Sequence, residues 1–265
     1  MNRSELAALN PKEIRKEIRK GNWKDQTAGL ANGHVQANLV VLPKEWAYDF
    51  LVFAQRNPKP CPLLDVTEPG DPEPRILAPE ADLRTDLPRY RVWEKDRFIA
   101  EPENVKEYWR DDLVSFLMGC SFTFERAFMD SGIPVRHIEM GCNVPMYITN
   151  IPCKPAGRLK GPMVVSMRPI PEHQIPRAVL CTGRFPSVHG APVHIGDPSS
   201  IGISNIDRPD FGDTVRIDGG EIPVFWACGV TPQTILMASR PPFAITHFPG
   251  HMFIGDPRDA SYSVF

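Results

Sequence analysis

No apolar run in the sequence approaches the roughly 20 residues needed to cross a bilayer. The first residues lack the apolar core of a secretory leader. Neither sign of charge dominates: 30 Lys and Arg stand against 32 Asp and Glu. The resulting net charge of −2 makes no field that would recruit nucleic acid or an anionic membrane. Six cysteines are present without a C-x-x-C pair, and a chain of 265 residues needs no disulfide framework. These absences predict a cytoplasmic protein with reduced thiols that works without nucleic acid or membrane. Three site grammars are missing too. There is no G-x-G-x-x-G dinucleotide loop after the first strand, no G-x-x-x-x-G-K-[ST] phosphate loop and no G-x-S-x-G elbow. Nicotinamide, nucleotide-triphosphate and serine-hydrolase chemistry are therefore disfavoured, and no cofactor is expected. Glycine is scarce beside proline, 19 against 29. The prolines are interleaved with apolar segments and read as fixing ordered loops, which often carry sites.

What is present is a repeated unit. Val224-Phe225-Trp226-Ala227 is a short apolar run fit for a sheet core, followed by Cys228, Gly229, Thr231 and Pro232. Thr231 suits a helix cap and Pro232 the first helical position. Phe116-Leu117-Met118-Gly119-Cys120-Ser121-Phe122-Thr123 has the same order. Thr follows Cys by three positions in both copies, and Glu125 or Gln233 follows by five. Each cysteine thus precedes a helix start, where the dipole and free N–H groups favour a thiolate or a bound carboxylate. Cys120, Cys228 and Glu125 become candidate catalytic groups; Ser121, Thr123, Gly229 and Thr231 become candidate substrate contacts. The competing reading is ordinary strand-turn-helix grammar with small core cysteines.

Taken in order, residues 4–20 read as two helices, with Ser4 and Asn10 as caps. Gln36 to Leu42 reads as a connector. Trp46, Phe50 and Phe53 recur at helical spacing over residues 43–55. Arg56-Asn57-Pro58-Lys59-Pro60-Cys61-Pro62 is too proline-rich for a helix. It delivers Arg56 and Asn57 as candidate substrate contacts, or Arg56 simply closes the preceding helix. Leu63 to Val66 reads as a strand ending at Asp65, a usual position for site residues in an open α/β sheet. Tyr90–Trp93 and Arg97–Ala100 read as a hairpin. The fold class is α/β: an open mixed sheet flanked by helices in three layers. Residues 135–215 turn to short strands and form a smaller inserted α+β domain, leaving 1–134 and 216–265 as the domain that carries both Cys units on one sheet. The strand ends Asn150 and Arg168 are further candidate contacts, Arg168 as a carboxylate fork or as an ordinary salt bridge.

Two histidine-bearing loops remain. His189-Gly190-Ala191-Pro192-Val193-His194-Ile195-Gly196-Asp197 is rigid and Gly/Pro-rich, and the tail adds Thr246-His247-Phe248-Pro249-Gly250-His251. Their spacing is not that of a helical metal motif, so no metal is assigned. His189 and His247 are candidate acid/base groups because imidazole titrates near neutrality. Asp197 is a candidate contact. Loop-stabilising hydrogen bonds are the alternative for all of them.

The proline-rich Arg56 segment, both Cys units, Met163-Val164-Val165-Ser166-Met167-Arg168-Pro169 and both His loops together resemble the D-glutamate cyclase (YcsI-like hydro-lyase) family, across essentially the whole chain. The resemblance implies a hydro-lyase that cyclises D-glutamate to 5-oxo-D-proline with loss of water. The implied partner is a small acidic amino acid, and the sequence leaves room for a homo-oligomer. The paired cysteines also fit a cofactor-independent racemase or epimerase of an acidic amino acid. A non-enzymatic amino-acid binding module is a third reading.

Overall fold

The computed structural model describes residues 2–95 and 97–264. Two short helices, α1 (Arg3–Ala7) and α2 (Pro11–Arg19), open the chain, each with a capping box. The first cap is Asn2 and not Ser4, because the Asn2 side chain reaches the Glu5 N–H while Glu5 returns to the Asn2 N–H. β1 (His34–Pro43) follows and is buried from Val35 onward. The expected connector is thus a central strand. α3 (Lys44–Arg56) turns Trp46, Phe50 and Phe53 inward, as its spacing predicts. β2 (Leu63–Val66) leads through a long loop to the β3 (Tyr90–Glu94) and β4 (Arg97–Ala100) hairpin. β5 (Leu113–Gly119) passes through Cys120 into α4 (Phe122–Asp130), which is followed by α5 (Arg136–Glu139).

The second half repeats the grammar. β6 (Met146–Pro152), β7 (Pro162–Pro171), α6 (Ile175–Gly183) and β8 (His194–Ile195) precede β9 (Glu221–Ala227). β9 passes through Cys228 into α7 (Thr231–Ser239), and β10 (Ala244–His247) and β11 (Phe253–Arg258) end the fold. The class is α/β with open sheets, as predicted, and every described strand pairing is antiparallel. No helix among the described residues is long and apolar enough to cross a membrane.

One sheet runs β2-β5-β1-β10-β3-β4 with β11 also on β1; the other runs β6-β7-β9-β8. The two Cys units therefore hang from different sheets, which corrects the expectation of a shared one. Residues 221–227 do not return to the first sheet; they pair with β7 over their whole length. The sheets nevertheless share one core. Val35, Leu39 and Leu117 from the first, Val224 and Trp226 from the second, and Phe124 and Phe128 of α4 belong to a single buried cluster. Phe124 and Phe128 lie 5.9 and 5.6 Å from the Trp226 ring. That contact fixes α4, and with it Cys120, against the strand that carries Cys228.

Candidate active site

The two Cys units share the same reciprocal pair of hydrogen bonds to the neighbouring strand. The Cys120 N–H donates to the Gln36 carbonyl at 3.1 Å, and the Gln36 N–H donates back to Thr123 Oγ1 at 3.2 Å. The Cys228 N–H donates to the Val164 carbonyl at 3.0 Å, and the Val164 N–H donates to Thr231 Oγ1 at 3.0 Å. Strand register agrees as well: Ala37 faces Gly119 as Val165 faces Ala227. Each threonine hydroxyl thus stitches the first turn of its helix to the neighbouring strand. The helices themselves begin at Phe122 and Thr231, with Ser121 and Val230 as backbone caps. The chain contains a structural repeat, β2-β5-β1 answering to β8-β9-β7, that the sequence reveals only at the two cysteines.

The half-sites touch through Asn38. Its Nδ2 donates to the Gly119 carbonyl at 2.9 Å, beside Cys120. A Cβ on Gly229 would sit 2.0 Å from the same nitrogen. Gly229 is therefore required by close approach and not by backbone conformation. Gly229→Ala is expected to destabilise by about 3 kcal/mol, the upper end for overpacking. Gly219→Ala, where nothing lies within 4 Å, is expected to be near neutral. Urea unfolding of the two variants checks this; equal midpoints would show that Asn38 simply moves aside.

Between the half-sites lies a buried ionic cluster. Arg168 is fully buried and donates from Nε to Glu125 Oε1 at 3.2 Å, from Nη1 to Ser166 Oγ at 3.1 Å and from Nη2 to Ser121 Oγ at 3.0 Å. His137 Nε2 lies 3.1 Å from Glu125 Oε1. The guanidinium is also flanked by the Phe124 and Trp226 rings at 5.3 and 5.5 Å. Arg168 is consequently not a free carboxylate fork, since its donors already have partners. Burial pushes the Glu125 carboxyl up, but His137 and Arg168 together override it and hold it below the ordinary carboxylate range.

The thiols depart from expectation. Helix-start N–H groups do address the sulfurs: Phe122 donates to Cys120, and Val230 and Gly229 donate to Cys228. Desolvation outweighs them. Burial pushes Cys228 up to about 11 and Cys120 higher still, with Cys228 close enough to add to the rise. Both groups are neutral thiols near neutral pH, not the low-pKa thiolates that the helix dipole alone predicts.

The two histidines are buried and neutral. Burial lowers each to about 4. The Lys59 carbonyl lies 2.8 Å from His189 Nδ1, which places the proton there and leaves Nε2 as the basic nitrogen. His189 Nε2 is buried with no hydrogen bond of ordinary geometry, and the Gly119 carbonyl is a second acceptor beside this ring. His247 Nδ1 faces both the Leu39 N–H, at 3.1 Å, and the Leu39 carbonyl, at 3.3 Å. Gln233, the counterpart of Glu125, packs on the His247 ring and donates to the His247 carbonyl at 3.1 Å.

Other predicted residues serve the scaffold. Asn57 uses its whole amide, bonding Phe53 and Lys154 carbonyls and the Lys154 N–H at 2.7–2.8 Å. Arg56 donates to the Pro155 carbonyl at 2.6 Å. Asp65 holds the long loop through the Ile76 and Leu77 N–H groups. Asp197 caps a 3-10 turn through Ser199, and Asn150 is exposed on β6. Asn38, Ser166 and His137 were not anticipated as site residues. The only signal for Asn38 is a polar amide inside an apolar run.

A cavity of about 670 Å³ adjoins the second half-site, lined by Arg91, Cys142, Asp213, Phe211, Phe248 and His251 among others. Neither Cys120 nor Cys228 lines it. Phe211, which does, packs in one cluster with Cys228, Val230 and Phe122. A neighbouring cavity of about 430 Å³ shares Gln26, Gly141 and Cys142 and is also lined by His137.

Residues 114–256 match the family described as D-glutamate cyclase. A Thermoanaerobacter protein named "Putative hydro-lyase" is 63% identical, covering 95% of each chain. Proteins of that name from Geobacillus kaustophilus (62%, covering 97% of this chain and 98% of the other) and Stutzerimonas stutzeri (58%, covering 100% of each) are similar along their whole length. Among solved structures, a nitrogen repressor-like protein of Methanococcus jannaschii aligns over 92% of this chain and 97% of its own at 11% identity, with a TM-score of 0.38.

Proposed function

The chain belongs to the D-glutamate cyclase family, and from that premise we propose that it is a hydro-lyase converting D-glutamate to 5-oxo-D-proline and water. The observation that supports this most is the matched pair of cysteine cradles, joined through Asn38 and Gly229. In the reaction the amine nitrogen attacks the side-chain carboxyl carbon, a C–N bond forms, and a C–O bond breaks. The ammonium loses two protons, and both end on the departing oxygen as water. Two proton carriers are therefore needed on opposite sides of the reacting centre, with N–H donors for the oxyanion between them.

The site offers those groups. His189 has an Nε2 with no hydrogen bond of ordinary geometry and stays neutral, the state of a base. Cys120 and Cys228 are protonated thiols, the state of an acid. The N–H groups of Phe122, Gly229 and Val230, which address the sulfurs in the free protein, can turn to a developing oxyanion. Arg168 and Glu125 hold this arrangement from beneath and make no demand on substrate.

The same two thiols favour one further reading, racemisation, in which each removes or returns the α-proton from its own face. Incubation with D-glutamate in deuterated water separates the two. The expected result is 5-oxoproline, with no deuterium at the α-carbon of the remaining glutamate. α-Deuteration without 5-oxoproline would replace the cyclase by a racemase, and neither product would leave a binding module.

A further inference from the structure

A small cavity of about 20 Å³ lies where β1 meets α4, the 29–33 turn and the C-terminal 3-10 turn (Asp259–Tyr262). Gln36, Glu125, Arg126 and Asp259 line it. The Gln36 amide is fixed in orientation, because Nε2 donates to the Thr27 and Leu30 carbonyls at 3.0 and 3.1 Å. Gln36 is 3% exposed, and its Oε1 has no partner. Asp259 is 9% exposed, with its N–H on the Gly33 carbonyl, and its Oδ1 has no partner either. Two buried acceptors thus line one cavity without a donor. An unpaired buried acceptor is costly, and native structures almost always supply it with a partner. Three basic groups lie nearby, and His34, which also lines the cavity, has its Nδ1 on the Asp256 carbonyl at 2.8 Å. Arg126 is paired with Asp130 at 2.9 Å, and Arg258 lies close enough only to moderate the Asp259 carboxyl. Glu125 is already paired with Arg168.

We propose that this cavity binds a small monovalent cation: potassium, sodium or ammonium. A single uncompensated carboxylate, Asp259, balances one positive charge, whereas divalent calcium and magnesium sites draw on more oxygen ligands or several held waters. The volume admits about one water-sized occupant, which suits these ions and excludes a tetraalkylammonium. The location gives the site a consequence. The Gln36 backbone forms the Cys120 cradle, so a cation gripped by its side chain would brace the first half-site. The matching residue in the second half-site is Val164, which has no side-chain oxygen.

Binding is read independently of any cyclase activity. The native protein at pH 8 is compared in tetramethylammonium, potassium, sodium and ammonium chlorides at equal ionic strength. At least one of the three small cations is expected to raise the unfolding temperature by about 5 °C at about 100 times its Kd. The same cation should give saturable heat on titration into protein held in tetramethylammonium chloride. Asp259→Asn, which keeps the shape and removes the charge, should abolish both signals. Persistence of both signals in Asp259→Asn would overturn the site. Equal unfolding temperatures in all four salts, with no saturable heat from the native protein, would also overturn it and leave a trapped water as the occupant, whether or not the variant folds.

Discussion

Serine in place of Cys120 or Cys228 is expected to lower D-glutamate turnover by about 100-fold or more for at least one of the two, the usual contribution of a positioned acid or base. The substitution keeps the backbone N–H bond to Gln36 or Val164 and nearly keeps the volume. What it removes is the thiol proton. Burial holds that proton on sulfur, with Cys228 at about 11 and Cys120 above it, so each thiol enters the reaction as a donor. A serine hydroxyl is a far weaker acid in the same pocket. Cys181→Ser is the control, because that thiol is half-buried at the edge of the core, away from both Cys units, and has a hydroxyl neighbour in Ser131 at 3.9 Å. Steady-state kinetics on the three variants, with circular dichroism to check folding, decides the matter. If both site variants turn over at the parent rate, the thiols are packing, and the proton transfers belong to Glu125 or the histidines.

Glu125→Gln should be among the most destabilising single changes in the chain. It leaves Arg168 fully buried with a neutral partner, and breaking one side of a buried pair costs about 3–5 kcal/mol. The pH dependence has a definite sign. The folded carboxyl titrates below its ordinary 4.5, so its contribution is present above that value and is lost as pH falls through the folded value. His189 and His247 act in the same direction. Burial keeps them at about 4 when folded, against 6.5 when free. Over that interval the unfolded chain binds more protons, so stability is lost as pH falls. Urea midpoints at pH 8 and pH 5 should show the parent losing stability in acid through the histidines, and the Gln variant should lose about as much, because the carboxyl contribution falls away only below about 4.5. A Gln variant as stable as the parent at pH 8 would mean that Ser166 and Ser121 alone satisfy the guanidinium.

Much of the secondary structure is legible because local chemistry dictates it. Trp46, Phe50 and Phe53 recur every three or four residues and form the buried face of α3. Pro11 after Asn10 starts α2. β1 was hidden because Gln36 and Asn38 interrupt an apolar run, and polar side chains in a sheet core make sense only once their partners are known. Those partners, the Leu30 and Gly119 carbonyls, are set by tertiary pairing. The same holds for the two Cys units. Their internal grammar is local and was readable, but the choice of sheet depends on β9 pairing with β7, a contact between distant segments. The thiol state failed for a related reason: a helix start can be read from Thr and Pro, whereas burial depends on everything packed around it.

The last strands have a consequence for the way the protein is made. β1, at residues 34–43, has one edge covered by β5 and the other by β10 and β11, at residues 244–258. During synthesis the central strand therefore waits for more than two hundred further residues before its second edge is filled. Pairings of such long sequence separation close slowly, because the intervening chain must surrender its freedom first. In that interval the open edge of an apolar strand is exposed to other nascent chains. The second sheet carries no such delay, because β6 to β9 span only residues 146–227. That order of assembly lets the Cys120 cradle form on the β1–β5 edge and the Cys228 cradle on the second sheet before the tail is made, with the His247 imidazole arriving only as β10 closes over β1.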